Sequence, residues 1–125
     1  EDYVEFVGRV SDEELRRLYS RALLLIHPSK WEGFGYVVLE AQASCTPVVV
    51  GPGVPDEALA NGVTGFKIAS FNPMDYAKVI VRMISDKDLL RKMSAKAREY
   101  AEKFDHVRIA EEYLKLYHEI CKQSY

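Results

Sequence analysis

Cysteine is scarce in this chain: Cys45 and Cys121 are the two in 125 residues. They lie far apart, without C-x-x-C or Cys/His ligand spacing, so neither a zinc site nor a disulfide framework is expected and a reducing, cytoplasmic setting fits. No sign of charge dominates either. The 17 basic and 19 acidic residues are interspersed and leave a formal charge of -2, so no broad field draws nucleic acid or anionic lipid, and no nucleic-acid partner is expected. Long apolar runs are missing. "ALLLIHP" and "TPVVVGPGVP" are too short to cross a bilayer, and no charged-then-apolar leader is present. There is no internal repeat and no low-complexity segment. A starting Met is lacking too, and the opening strand-like "YVEFVG" suggests a cut made inside a larger architecture.

What is present is enough for one core. A chain of this length with 48% hydrophobic residues can bury a single domain, taken as residues 1–125. Tyr3 to Val7 alternates polar and apolar β-formers and reads as a strand that Gly8 breaks. Ser11 with Glu14 three residues on forms a capping box, and Leu15, Leu18, Tyr19 and Ala22 share the face of the helix that follows. "ALLLIHP" reads as a strand buried on both faces, "YVVLEAQAS" as a helix and "PVVVG" as another buried strand. This strand–helix alternation predicts an α/β fold, a Rossmann-like parallel sheet with flanking helices. "GPGVPDEALANGVTG" reads as loop with at most one helical turn near Glu57 to Ala60, and "FKIA" as a short strand. Three helices complete the chain. The first starts at Asn72–Pro73, the second covers about Asp88 to Lys103, and the third runs from His106 to Lys122 with Ile109, Tyr113, Leu116, Tyr117 and Ile120 on one side.

The chemistry concentrates in "W-E-G-F-G-Y-V-V-L-E", residues 31 to 40. From Gly33 to Pro55 the single charged side chain is Glu40, in a chain where 29% of residues are charged. In parallel sheets ligands sit at the carboxyl ends of strands, where loops enter helix N-termini. Gly33 and Gly35 flank Phe34 at such an entry, so free backbone N–H groups and the positive helix end favour a phosphate. Carboxylates repel phosphate. Glu32 and Glu40 on either side therefore suit sugar hydroxyls, which a carboxylate accepts two at a time. That is the outline of a nucleotide sugar, with a sugar on each side of a diphosphate. The bland alternative stays open: Glu32 as a helix-start residue, and Glu40 at a solvent rim or paired with Lys30 or Arg21.

"HPSKWEGFGYVVLEAQASCTPVVV", followed by "ANGVTGFKI", resembles the glycosyltransferase family 4 pattern P-S-x-x-E-G-F-G-x-x-x-L-E-A-x-A-x-G-x-P-V-V and D-G-x-T-G. "VEFVGRVSDEELRRLYSRA" and "FDHVRIAEEYLKLY" also look like that family, so the likeness covers nearly the whole chain in order. It implies part of the C-terminal, donor-binding domain of a GT-B fold enzyme, without the N-terminal acceptor domain and without the segment that carries the family's diphosphate-neutralising Arg and Lys. By resemblance Glu32, the residue closest to catalysis, faces the donor hexose, and Phe34, Gly35 and Tyr36 offer backbone amides to sugar and pyrophosphate. Glu40 holds the ribose hydroxyls, and Arg9 and Val10 line the nucleobase. Glu57, with Asp56 as the alternative, is the acidic residue of the loop that approaches the sugar.

The departures are equally specific. Cys45 and Thr46 stand where the family has a small residue and Gly, "GPGVPDE" replaces G-G-x-P-E, and His106 replaces a frequent Trp. The resemblance further implies retaining transfer of a hexose from a UDP-, GDP- or ADP-sugar to an acceptor hydroxyl. No metal and no cofactor is expected, and the full-length protein would be cytoplasmic or at the cytoplasmic membrane face. The alternative is a non-catalytic nucleotide-binding module or one subunit of a two-chain transferase. A flavodoxin-like signalling domain would need an acidic cluster after the first strand, and "FVGRV" offers none. Two aromatic rings near the motif take bland readings or open ones: His27 as a satisfied packing residue, Trp31 as a stacking platform or a cap on the core, and Ser29 beside them as loop scaffolding.

Overall fold

The computed structural model describes residues 3–123. Three short parallel strands form its sheet: β1 (Leu25–His27), β2 (Val48–Val50) and β3 (Gly65–Lys67), in the order β1-β2-β3. The register sets Ile26 beside Val49 and Val49 beside Phe66. Each crossover is covered. α1 (Asp12–Arg21) leads into β1, α2 (Tyr36–Ala43) joins β1 to β2, and a single 3₁₀ turn (Asp56–Ala58) lies between β2 and β3. α3 (Pro73–Ser85), α4 (Lys87–Ala101), a 3₁₀ turn (Glu102–Phe104) and α5 (His106–Gln123) follow. The parallel α/β arrangement expected from the alternation is the one that forms.

β2 is the centre. Its three valines are buried, Val48 and Val50 facing one cluster with Tyr19, Val38, Ala41, Val54, Ala58 and Leu59, and Val49 facing another with Ile68, Tyr76, Met83 and Met93. Alternation along one strand thus fills cores on both sheet faces, as a covered parallel strand requires. α2 hangs over the first cluster, and the carboxyl ends of β1 and β2 open beside its amino end.

Two expectations fail for one reason. Tyr3 to Val7 forms no strand: the segment has no regular secondary structure and is exposed, with Phe6 94% accessible. β1 is not buried on both faces, since Ile26 is 47% accessible. β1 hydrogen-bonds only β2 among the described residues, so its free edge stays open, and Tyr3 to Val7 has no neighbour to pair with. β-formers become a strand only against a partner. The apolar stripe of α5, expected as core or in part as a seam for another domain, leaves Tyr113, Leu116 and Tyr117 about half exposed or more.

Candidate donor site at the start of α2

The loops after β1 and β2 are fastened to one another. The carbonyl of His27, last residue of β1, accepts from Ser29 N at 2.9 Å and from Gly51 N at 3.0 Å. Gly53 N donates to the Ser29 carbonyl at 3.1 Å, and a Cβ at position 53 would stand 2.1 Å from the carbonyl carbon of Lys30. No side chain fits there. The Ser29 hydroxyl donates to the Trp31 carbonyl at 2.8 Å and accepts from Trp31 N at 3.3 Å, so Ser29 acts as the scaffolding residue of its turn. Trp31 does not cap the core; it is 81% accessible.

On this platform the Glu32 carboxylate lies 2.6 Å from His27 Nε2. The imidazole bond, followed by the Ser29 hydroxyl, holds the Glu32 carboxyl below the usual carboxylate range, so it is ionised at neutral pH. His27 is satisfied, as expected of a packing residue, and the partner that satisfies it is the Glu32 carboxylate. Four residues lie between the two, and the turn they form folds back to bring the side chains together.

Gly35 starts α2 with φ 87°, the left-handed region that suits glycine. Its carbonyl accepts from Val38 and Leu39, no side chain caps the helix among the described residues, and the first turn carries no acidic residue. That leaves the N–H groups of Tyr36 and Val37, at the very start of the helix, without an acceptor among the described residues. Phe34 contacts the rings of Tyr36 at 5.7 Å and Phe104 at 5.5 Å, and Tyr100 packs on Phe104 at 5.5 Å. The Tyr100 hydroxyl donates to the Glu57 carbonyl at 2.7 Å, and burial, then the Glu57 charge, raises its pKa. Glu57 is thereby fixed at the edge of the Phe34 cluster, whereas Asp56 is engaged by Lys67 Nζ at 2.6 Å.

One turn beyond Tyr36, Glu40 Oε2 accepts from the Tyr19 hydroxyl at 3.3 Å. Neither Lys30 nor Arg21 pairs with it, but Glu40 is exposed, as the solvent-rim alternative had it. Tyr19 carries a pKa raised first by burial and then by the Glu40 charge. A buried tyrosine hydroxyl needs a partner, and that rule was the available sign that Tyr19 reaches something polar. Glu40 lines two grooves at once. A larger one of about 690 Å³ runs past Phe34, Tyr36, Phe104 and Tyr113, and a smaller one of about 410 Å³ runs past Asp12, Arg16 and Ser44. Of the expected site residues, Phe34, Tyr36 and Glu40 line these grooves, whereas Glu32, Gly35 and Glu57 line neither. Arg9, exposed, and Val10, partly buried, line neither groove.

The chain is similar to known glycosyltransferases. A D-inositol 3-phosphate glycosyltransferase of Streptomyces bingchenggensis is 36% identical over 105 residues, covering 82% of this chain and 23% of that protein. The chain thus spans about a quarter of the length of the curated relatives it matches. Sucrose-phosphate synthase from Thermosynechococcus elongatus superposes with a TM-score of 0.84 at 29% identity, covering 98% of this chain and 31% of that one. Anabaena HepE, solved in complex with UDP-glucose, gives 0.82 at 27% identity over 95% of this chain and 33% of its own. These neighbours are GT-B glycosyltransferases. The family described as Glycosyl transferases group 1 matches residues 1–102, and the chain belongs to that family.

Proposed function

We propose that this domain binds the donor of a retaining, metal-independent family 4 glycosyltransferase that moves a hexose from a nucleotide-diphosphate sugar to an acceptor hydroxyl. The observation that carries the reading is the uncapped amino end of α2 set between Glu32 and Glu40. Amides at a helix start favour a diphosphate and stabilise the charge it gains as the bond from the anomeric carbon to the phosphate oxygen breaks. The acceptor hydroxyl then bonds the anomeric carbon on the same face and passes its proton to the departing phosphate oxygen. Glu32, ionised beside that carbon, orients the hexose and favours its oxocarbenium-like state. Glu40, four residues after Tyr36, takes the ribose hydroxyls, Glu57 approaches the sugar, and Arg9 with Val10 sits near the base. UDP is the first candidate nucleotide, supported by the UDP-glucose in HepE. An acceptor domain elsewhere in the same protein, in the cytoplasm or at its membrane face, completes the enzyme.

Calorimetry of the full-length protein with UDP-, GDP- and ADP-sugars tests this. Glu40→Ala should weaken free nucleotide and nucleotide sugar alike by about tenfold or more, the scale of a lost charged hydrogen-bond pair. Glu32→Ala should spare the nucleotide and lower transfer. Equal nucleotide affinity in wild type and Glu40→Ala would sink the ribose assignment.

A further inference from the structure

We propose that His27 is the positioning residue for Glu32, fixing one carboxylate oxygen by an Nε2–H bond and leaving the other to a hexose hydroxyl. The inference rests on the reading of Glu32 as the hexose-facing carboxylate.

The argument starts from the backbone. His27 ends β1, and its carbonyl is held by amides from both site loops, Ser29 N and Gly51 N. Its ring therefore starts from a backbone tied to both loops. The chain then turns through Pro28 to Trp31 and returns, bringing Glu32 Oε1 to 2.6 Å from Nε2. An ionised carboxylate can only accept, so Nε2 carries the proton whether the ring is neutral or charged. Both side chains are about one quarter accessible, 24% for His27 and 27% for Glu32. The pair is thus shielded enough for the bond to hold its geometry and open enough for a ligand to reach the second oxygen. The lowered pKa of Glu32 agrees, since its first cause is this bond.

A glutamate has three rotatable bonds, and one at a loop tip without a partner spends most of its time away from any one geometry. A donor on the preceding strand removes that freedom before the sugar arrives, which is how a supporting residue contributes to a site it does not touch.

The test compares substitutions in the full-length protein with UDP-glucose as the probe donor and UDP as the probe nucleotide. His27→Phe keeps a ring and removes the donor. It should lower kcat/KM for transfer or donor hydrolysis by about tenfold or more while UDP affinity stays within about twofold. His27→Gln, whose amide nitrogen stands near the place of Nε2, should recover most of the rate, and His27→Asn, one methylene shorter, should not. In a Glu32→Gln background, His27→Phe should cost no more than about twofold, because the two residues act as one unit. Wild-type rates in His27→Phe, or equal losses in the Gln and Asn variants together with lost UDP affinity, would overturn the inference. If His27→Phe fails to fold, the Gln and Asn pair decides it. The two readings fail differently: Glu32→Gln without effect on donor handling removes the hexose role itself, whereas an impaired Glu32→Gln beside an unimpaired His27→Phe removes the His27 role alone.

Discussion

Ser11, Asn72, Asp86 and Asp105 each lend a side-chain oxygen to an N–H at the start of α1, α3, α4 and α5, whereas α2 starts from Gly35 with none. The four capped helices are amphipathic surface elements, and a cap is worth about 1 kcal/mol to each. α2 is held another way. Val38, Leu39, Ala41 and Gln42 are buried, and Gln42 Nε2 bridges its own helix at Val38 O, 3.1 Å, to the 3₁₀ turn at Ala58 O, 2.7 Å. Burial on this scale makes a cap dispensable for folding. The difference teaches where the protein keeps amides for its own stability and where it leaves them for something else.

Making α2 resemble its neighbours should break the contrast with the largest effect. Tyr36 is the first residue of α2 and 72% accessible, so Tyr36→Glu adds a first-turn carboxylate without disturbing the core. The helix should gain about 0.5 kcal/mol from its dipole. Nucleotide and donor affinity should fall by about tenfold or more, because the new charge competes with the diphosphate for the same amides. Tyr36→Gln separates loss of the ring from gain of charge. Calorimetry with UDP reads both, and a Glu variant that binds UDP as the Gln variant does would remove phosphate from the α2 amino end. The reverse change is milder: Asp86→Ala removes the oxygen that accepts from Leu89 N at 2.9 Å. It should cost about 1 kcal/mol in urea unfolding and leave UDP affinity within error.

The capped helices were also the legible part of the sequence. Ser11 announces α1 because a cap is local chemistry, and Asn72–Pro73 marks the start of α3, whereas Asp86 is not read as a cap and α4 is expected only from about Asp88. α2 was found without a cap, from its apolar run and its glycines, and for the same reason its start stood out as a candidate site. The strand expected at Tyr3 to Val7 failed because pairing is not local: the alternation is there, but the described chain puts no neighbour beside it. The same holds for the side chains that hold the two motif acids. Glu32 and Glu40 were visible as charges in an apolar stretch, whereas His27 and Tyr19 read as packing, since nothing in a linear spacing shows that β1 and α1 aim them at those carboxylates.

The far end of α2 carries the finest contrast. Thr46 N bonds the Ala41 carbonyl and Cys45 N the Gln42 carbonyl, both at 3.0 Å, the pairing of a Schellman end, and Cys45 has φ 63°. It is the one residue other than glycine with positive φ among those described. The resemblance set a small residue and Gly against Cys45 and Thr46; the pattern A-x-A-x-G-x-P and the left-handed backbone both put the glycine position at Cys45. A left-handed residue with a Cβ costs roughly 1–2 kcal/mol, and glycine gives back part of the gain through its freer unfolded chain, about 0.4–1 kcal/mol. Cys45 is exposed, so little packing is lost with its side chain. Cys45→Gly should therefore stabilise the domain by about 0.5 kcal/mol in urea unfolding, with UDP affinity unchanged. A loss of stability would mean that the thiol makes a contact outweighing the backbone strain, and that α2 is finished as well as begun by something other than its local cap.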